Sequence, residues 1–163
     1  MKKKYNWLPD FVYGSIDGVV TTFAVVSGVK GADLSVTIIL ILGFANLLGD
    51  GFSMAVGKYL SDKSQVHDDV SPVLGGVVTF VSFVLVGLIP LLAYLFAPIL
   101  NLSDDQTFKL TCIFTLFGLF IIGVVKGHVI KSSRLLGGAQ TMLIGGLAAL
   151  IAFYVSDFVE RLI

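Results

Sequence analysis

Long apolar runs separated by short polar connections dominate the chain. A transmembrane helix needs about 20 mostly apolar residues, and five windows meet this requirement. They cover approximately residues 11–29, 36–60, 73–97, 106–125 and 135–155. The connections between them are too short to hold a sizeable soluble domain. The pattern therefore predicts a single transmembrane domain of five helices over residues 1–163.

The spans are expected to be helices rather than the strands of a barrel. Barrel strands alternate lipid-facing and lumen-facing residues, whereas the apolar runs here are continuous. A helix also satisfies its own backbone hydrogen bonds in lipid. We therefore predict an all-α integral membrane protein. Gly14 and Gly18 predict close helix packing, within one chain or across a dimer, and Pro90 predicts a kink in the third span.

The composition agrees with a membrane protein. The chain is 56% hydrophobic and 13% charged, whereas soluble domains are about 45–50% apolar and about 25% charged. Its formal net charge is zero, so charge gives no argument for nucleic acid. The single cysteine, Cys112, excludes a disulfide within the chain and a cysteine-rich zinc site. We expect neither an enzyme nor a cofactor, because no nucleophile–base pair stands out and both histidines lie at loops or helix ends.

Lysine and arginine are distributed unequally along the chain. With five spans, the N-terminus and the connections after the second and fourth spans lie on one side of the membrane. Eight basic residues fall on that side and three on the other. The positive-inside rule then places the N-terminus in the cytoplasm and the C-terminus outside. The eight are Lys2, Lys3, Lys4, Lys58, Lys63, Lys126, Lys131 and Arg134; the three are Lys30, Lys109 and Arg161.

Two aspartates interrupt the predicted spans. Asp17 lies about two turns into the first span, and Asp50 lies past the middle of the second. An ionised Asp at a helix centre costs about 2.5–3.5 kcal/mol on insertion scales. Two such residues in a small bundle favour a polar pathway. The alternative is a pair of neutral structural acids that form hydrogen bonds across helices.

The residues around Asp50 indicate what this pathway carries. Asn46, Asp50 and Met54 are spaced by four and therefore share one helix face. Oxygen ligands alone suit Mg²⁺ and Ca²⁺, and an added sulfur shifts the preference toward transition metals such as Fe²⁺. The alternative is that Met54 is an ordinary core residue without a role in metal binding. Thr21 shares the face of Asp17.

Asp17 and Asp50 are predicted to face each other. The first two helices are antiparallel neighbours, so both acids lie toward the same half of the membrane. Two close carboxylates can bind a divalent cation, or hold one shared proton in its absence. Such a pair could exchange a metal ion for protons.

Two segments resemble signature sequences of the vacuolar iron transporter family, which includes iron transporters, manganese transporters and nodulin-like members. The first is DFVYGSIDGVVT at 10–21, and the second is NLLGDGFSMAVG at 46–57. Later family features match GLIPL at 87–91, KGH at 126–128 and LIGGLAA at 143–149. The resemblance covers nearly the whole chain, in order.

The resemblance implies a homodimer with its metal path between the subunits. It implies that Fe²⁺ and/or Mn²⁺ leaves the cytosol in exchange for protons, with the metal as cargo rather than cofactor. Asp17, Asp50 and Met54 match the pathway residues of the family. The expected partners are therefore divalent metal ions, protons, the lipid bilayer and a second copy of the chain.

Two features depart from the family pattern. Members commonly carry an acid where Lys58 stands, and a cation at the mouth of the path repels metal unless it pairs with an acid or turns away. Lys58→Glu is therefore expected to leave transport equal or faster. Many members also have a long glutamate-rich segment after the second helix, which is reduced here to residues 61–72. This short form retains four residues for weak metal capture, unless they form a plain solvated loop: Asp62, His67, Asp68 and Asp69.

Two other functions stay open from the sequence. One is a dimeric cation channel without proton coupling, and the other is a membrane adaptor whose acids no longer transport. Proton flux that accompanies metal flux would separate the exchanger from the channel. The short chain with minimal loops favours a prokaryotic plasma membrane over a vacuolar membrane.

Overall fold

The computed structural model describes residues 6–65 and 71–162, and all of its regular elements are helices. Five helical segments are long and apolar enough to cross a membrane, which confirms the predicted all-α membrane fold. The third of them, Pro72–Leu100, is made of two helices. The elements are α1 (Leu8–Gly31), α2 (Val36–Lys63), α3 (Pro72–Gly87), α4 (Ile89–Leu100), α5 (Asp104–Val129) and α6 (Arg134–Glu160).

The third span is interrupted at Leu88, two residues before Pro90. Proline has no N–H to donate to the preceding turn, so a helix weakens where it enters. Leu88 keeps helical dihedral angles, with φ −68° and ψ −21°, and its N–H donates to the Val84 carbonyl at 3.1 Å. The N–H of Leu91 then donates back to the Leu88 carbonyl at 2.9 Å. The chain therefore crosses the membrane as two joined helices, with the break beside the proline.

Polar caps set the ends of the helices beyond the apolar windows. The fourth apolar window begins at Gln106, but α5 begins at Asp104. Ser103 and Gln106 form a capping box, in which each side chain accepts a hydrogen bond from the other residue's backbone N–H. Such a box supplies partners for N–H groups that the first turn leaves unbonded. Asp104 and Asp105 add negative charge at the positive end of the helix dipole.

Helix α1 is the centre of the bundle and packs against α2, α3, α5 and α6. Its glycines allow the closest approach. A Cβ atom at Gly14 would lie 2.5 Å from the Thr79 carbonyl oxygen, and one at Gly18 would overlap the Phe83 carbonyl. Both carbonyls belong to α3, so this glycine pair brings α1 onto α3 within one chain.

The starts of α1, α3 and α6 and the ends of α2 and α5 lie together at one end of the bundle, called here the basic end. Lys58 near the end of α2 contacts Asp10 near the start of α1, and Gly127 near the end of α5 packs against Ser133 before α6. Five described basic residues lie at this end: Lys58, Lys63, Lys126, Lys131 and Arg134. At the opposite end, two of the three basic residues pair with acids, Lys30 with Asp105 at 3.1 Å and Arg161 with Asp157 at 2.9 Å.

Candidate functional site

The interface between α1 and α2 is where the predicted site residues meet. The side-chain amide of Asn46 on α2 lies within hydrogen-bonding distance of two hydroxyls on α1, Thr21 Oγ1 at 3.4 Å and Thr22 Oγ1 at 3.5 Å. The Thr21 hydroxyl in turn donates to the backbone carbonyl of Asp17 at 2.8 Å. These contacts fix the polar face of α2 against the turn of α1 that follows Asp17.

Asp17 and Asp50 lie on the two sides of this interface. Asp17 lies one turn before Thr21 on α1, and Asp50 lies one turn after Asn46 on α2. Because the two helices are antiparallel, the contact between Asn46 and Thr21 places the two acids at a similar level. Asp17 is partly covered by neighbouring helices, whereas Asp50 is exposed on the surface of the single chain. Because α2 is a membrane-crossing helix, this exposed side of Asp50 points away from the subunit's own core at membrane depth.

Met54 has a mixed environment. Its side chain packs against the apolar cluster that contains Leu47 and Phe83, and it stays partly exposed. The side chain is therefore held in part by the core and remains partly accessible one turn from Asp50. Met54 contributes to packing as well as to the polar face predicted from its spacing.

One copy of the chain provides an incomplete set of metal ligands. Among residues 6–65 and 71–162, no group of three or more His, Cys, Asp or Glu residues is placed to hold a metal ion. The candidate site therefore consists of two carboxylates, Asp17 and Asp50, with the amide of Asn46 and the thioether of Met54 nearby. Further ligands have to come from another molecule, from water or from the backbone.

Lys58 lies toward the basic end from Met54 and forms an ion triad with two acids. Its ammonium nitrogen lies 2.6 Å from Asp62 Oδ1 and 3.1 Å from Asp10 Oδ1. The Asp62 side chain is 2% exposed, that of Asp10 11% and that of Lys58 24%, so the triad is mostly shielded from solvent. The triad joins the start of α1 to the end of α2.

Gly75 of α3 completes the pocket around the ion triad. A Cβ atom at this position would lie 2.5 Å from Asp62 Oδ2 and 3.4 Å from both Asp10 Oδ2 and Lys58 Cε. Only glycine therefore fits without displacing the acids. Asp10 and Gly75 were not predicted from the sequence. The Lys58–Asp62 pair could have been predicted, because a spacing of four places two side chains on one helix face.

The four residues predicted to capture metal weakly do not form a site in the described structure. Asp62 is buried and bound to Lys58, so its Oδ1 is not available to a loosely held ion. His67, Asp68 and Asp69 lie outside the described residues.

Comparison with known proteins places the chain among metal transporters by sequence. The model of the VIT family matches residues 8–68 and 66–157, which includes most of every helix. A protein named "Vacuolar iron transporter" from Toxoplasma gondii is 24% identical over 97% of this chain and 76% of its own length. "Vacuolar iron transporter 1" of Arabidopsis thaliana is 24% identical over 93% of this chain and 86% of its own length. "Vacuolar iron transporter homolog 3" of the same plant is 28% identical over 93% of this chain and 82% of its own length.

Proposed function

This chain belongs to the VIT family, and on that premise we propose that it moves a divalent transition metal, Fe²⁺ and/or Mn²⁺, out of the cytosol in exchange for protons. The relatives named above are called iron transporters, which supports iron as cargo. The family consists of transporters and not enzymes, so the metal is a substrate and no resident cofactor is required.

The observation that carries the proposal is the contact between Asn46 and Thr21, which places Asp17 and Asp50 at a similar level of two adjoining helices that are long and apolar enough to cross a membrane. Ionised carboxylates are expensive at this depth, about 2.5–3.5 kcal/mol each. A divalent cation between them would offset that cost and would take two carboxylate ligands at once. Met54 adds a soft sulfur ligand, which favours Fe²⁺ over Ca²⁺ or Mg²⁺.

We further propose that the path lies between two copies of the chain. Asp50 is exposed on the single subunit although α2 crosses the membrane, and lipid is a poor environment for a carboxylate. A second copy that covers this face of α2 would shield Asp50 from lipid. It would also double the ligands to four carboxylates and two thioethers, which one chain lacks.

Proton exchange follows from the same pair of acids. Two carboxylates held close together repel each other once the metal leaves, so one of them gains a proton more readily. Release of the metal and uptake of a proton are then alternative ways to neutralise the same site. This is the physical basis of an exchanger, whereas a channel with the same acids would pass metal without a matching proton flux.

The proposed direction of transport depends on the orientation of the chain. We propose that the basic end faces the cytoplasm, because basic residues concentrate there and loops rich in Lys and Arg stay on the cytoplasmic side. The relatives named above are called vacuolar. They give no support to the prokaryotic plasma membrane predicted from the length of the chain, so the identity of the membrane stays a prediction.

Lys58 does not obstruct this path as a free cation. Its charge is shared by Asp10 and Asp62, so a metal ion that approaches from the basic end meets a triad whose formal charge is −1 when all three groups are ionised. The departure from the family pattern at position 58 is therefore compatible with transport.

The experiment that tests the proposal is metal flux in liposomes that contain the full chain, with Fe²⁺, Mn²⁺, Zn²⁺ and Ca²⁺ compared across a pH gradient. We expect Fe²⁺ or Mn²⁺ to enter with a proportional movement of protons in the opposite direction. Asp17→Asn and Asp50→Asn should each abolish flux, because both carboxylates bind the metal. Asp104→Asn is the matched control, since Asp104 is exposed at the opposite end of the bundle.

The outcomes distinguish the candidate functions. Flux in both Asn variants equal to that of the wild type would overturn the site. Metal flux without proton movement, abolished by the same variants, would make the protein a channel. No flux of any of the four metals in correctly folded protein would leave the adaptor as the function of the chain.

A further inference from the structure

A cavity of about 650 Å³ lies at the basic end, between the start of α1 and the connection from α5 to α6. It is separate from the candidate metal site and from the ion triad, and none of its lining residues belongs to either. The residues that line it are Leu8, His128, Val129, Lys131, Ser132 and Arg134. This cavity, called here the basic cavity, is lined by three basic side chains and no acid.

No acid in the described part of the chain compensates the charge of the basic cavity. Within residues 6–65 and 71–162, none of His128, Lys131 and Arg134 forms an ion pair. The described acids at the same end of the bundle are Asp10 and Asp62, and both contact Lys58. The cavity is therefore a positive site that attracts an anion from outside the chain.

The backbone strengthens this positive site. Helix α6 begins at Arg134, where Ser133 Oγ accepts a hydrogen bond from the Leu136 N–H at 3.4 Å. The N–H groups of the first helical turn have no partners within the helix, and the helix dipole places partial positive charge there. Because Ser132 and Arg134 line the cavity, this helix end adjoins it and favours a phosphate group.

The position of the cavity determines the kind of anion. Leu8 is the first residue of α1, and Val129 is the last residue of α5. Both provide apolar surface beside the three basic groups. Both helices cross the membrane, so the cavity lies at the level where lipid headgroups meet the hydrocarbon. An occupant there contacts charge and apolar surface together, which a phospholipid does and a free anion does not.

We propose that the basic cavity binds the phosphate headgroup of an anionic phospholipid, with Lys131 and Arg134 as its main contacts. Basic pockets between transmembrane helices on the cytoplasmic side are suited to such headgroups. The inference goes beyond metal transport, and its test does not depend on any transport measurement.

The test is native mass spectrometry of the full chain in detergent, with phosphatidylglycerol, phosphatidylcholine or inorganic phosphate added. The double variant Lys131→Gln/Arg134→Gln should bind phosphatidylglycerol about 25-fold more weakly than wild type, since one basic residue near an anionic headgroup contributes about fivefold. Lys63→Gln/Lys126→Gln is the matched control. It removes the same charge from exposed positions at the same end, outside the cavity.

We expect the control variant to bind phosphatidylglycerol like wild type, and phosphatidylcholine to bind more weakly than phosphatidylglycerol to both. Equal affinities of the two double variants for phosphatidylglycerol would overturn the site. Equal retention of phosphatidylcholine and phosphatidylglycerol by wild type would overturn its preference for anionic lipid. Inorganic phosphate that binds as tightly as phosphatidylglycerol would make the cavity a simple anion site. All four exchanged residues are exposed, so the variants are expected to fold.

Discussion

At the scale of single residues, Lys58 is the side chain whose meaning the structure changes most. From the sequence it is a cation at the mouth of a metal path, which repels metal unless it pairs with an acid or turns away. In the fold it is bound between Asp10 and Asp62, against the surface of α3 at Gly75. A buried ion pair contributes little net stability when complete, but removal of one partner leaves an uncompensated charge in a poor environment.

We therefore expect Lys58→Met to destabilise the protein by roughly 3 kcal/mol, the lower end of the range for a broken buried pair, because the Lys58 side chain is 24% exposed. Lys58→Glu should destabilise more, since it places a third carboxylate beside Asp10 and Asp62. The expectation, drawn from the sequence alone, that Lys58→Glu leaves transport equal or faster stays a prediction. The measurement is the apparent melting temperature in detergent. Lys63→Met, at an exposed position on the same helix, is the control. It should cost at most about 1 kcal/mol, because it removes only an exposed cation–π contact with Tyr59. Equal melting of the two Met variants would contradict the role of the triad.

The sequence predicts part of this residue-scale picture. Helical spacing predicts that Asn46, Asp50 and Met54 share one face of α2, and the antiparallel order of the first two helices predicts that Asp17 faces Asp50. Asp10 was missed because its contact with Lys58 depends on how closely three helices approach each other. Gly75 sets that approach, and a lone glycine in an apolar run carries no signal of its partner.

At the scale of the helices, small residues decide how the spans fit together. The five spans could be predicted because each is a continuous apolar run of membrane length. Their ends could not, since capping groups such as Ser103 extend helices into polar segments. The partner of a Gly-xxx-Gly pair was also open, because the spacing specifies a smooth surface and not what lies against it. The structure places α3 against Gly14 and Gly18.

Gly18→Ala is expected to separate α1 from α3 and to lower stability by about 3 kcal/mol, at the upper end of overpacking costs. The added methyl would overlap the backbone carbonyl of Phe83, which cannot rotate away as a side chain can. Gly146→Ala is the matched control, because its Cβ would lie 3.8 Å from the nearest neighbour, in ordinary contact. The fraction of monodisperse protein after heating reports the difference. A Gly18→Ala protein as stable as Gly146→Ala would contradict the close packing of α1 on α3.

At the scale of the whole molecule, the chain is closed around α1 and open along α2 and α6. Half of the apolar window of α1 is buried inside the chain, against 22% of that of α2 and 11% of that of α6. Lipid can cover the apolar part of the α2 surface, but Asp50 lies within it. No apolar pattern in the sequence distinguishes a surface that faces lipid from one that faces another copy, so periodicity alone does not predict a dimer.

Oxidative cross-linking in native membranes tests the proposed dimer. In a Cys112→Ser background, Ser53→Cys places a thiol on the exposed surface of α2, three residues from Asp50. We expect it to form a disulfide-linked dimer within minutes of adding oxidant. Leu143→Cys is the control, because Leu143 is equally accessible, at 62% exposed, but lies on α6, outside the proposed contact along α2. Helix α6 packs against α1 and α5. Cross-linking at both positions, or at neither, would argue against a specific contact along α2.

The ion triad also constrains how this sequence can change over generations. Loss of the ammonium at position 58 removes the ion-pair partner of the buried Asp62 and leaves its charge uncompensated. An added side chain at position 75 would collide with Asp62 and would lie in contact with Asp10. Positions 10, 58, 62 and 75 are therefore expected to be inherited as a unit. A lineage that regains an acid at position 58 should first have lost one at position 10 or 62.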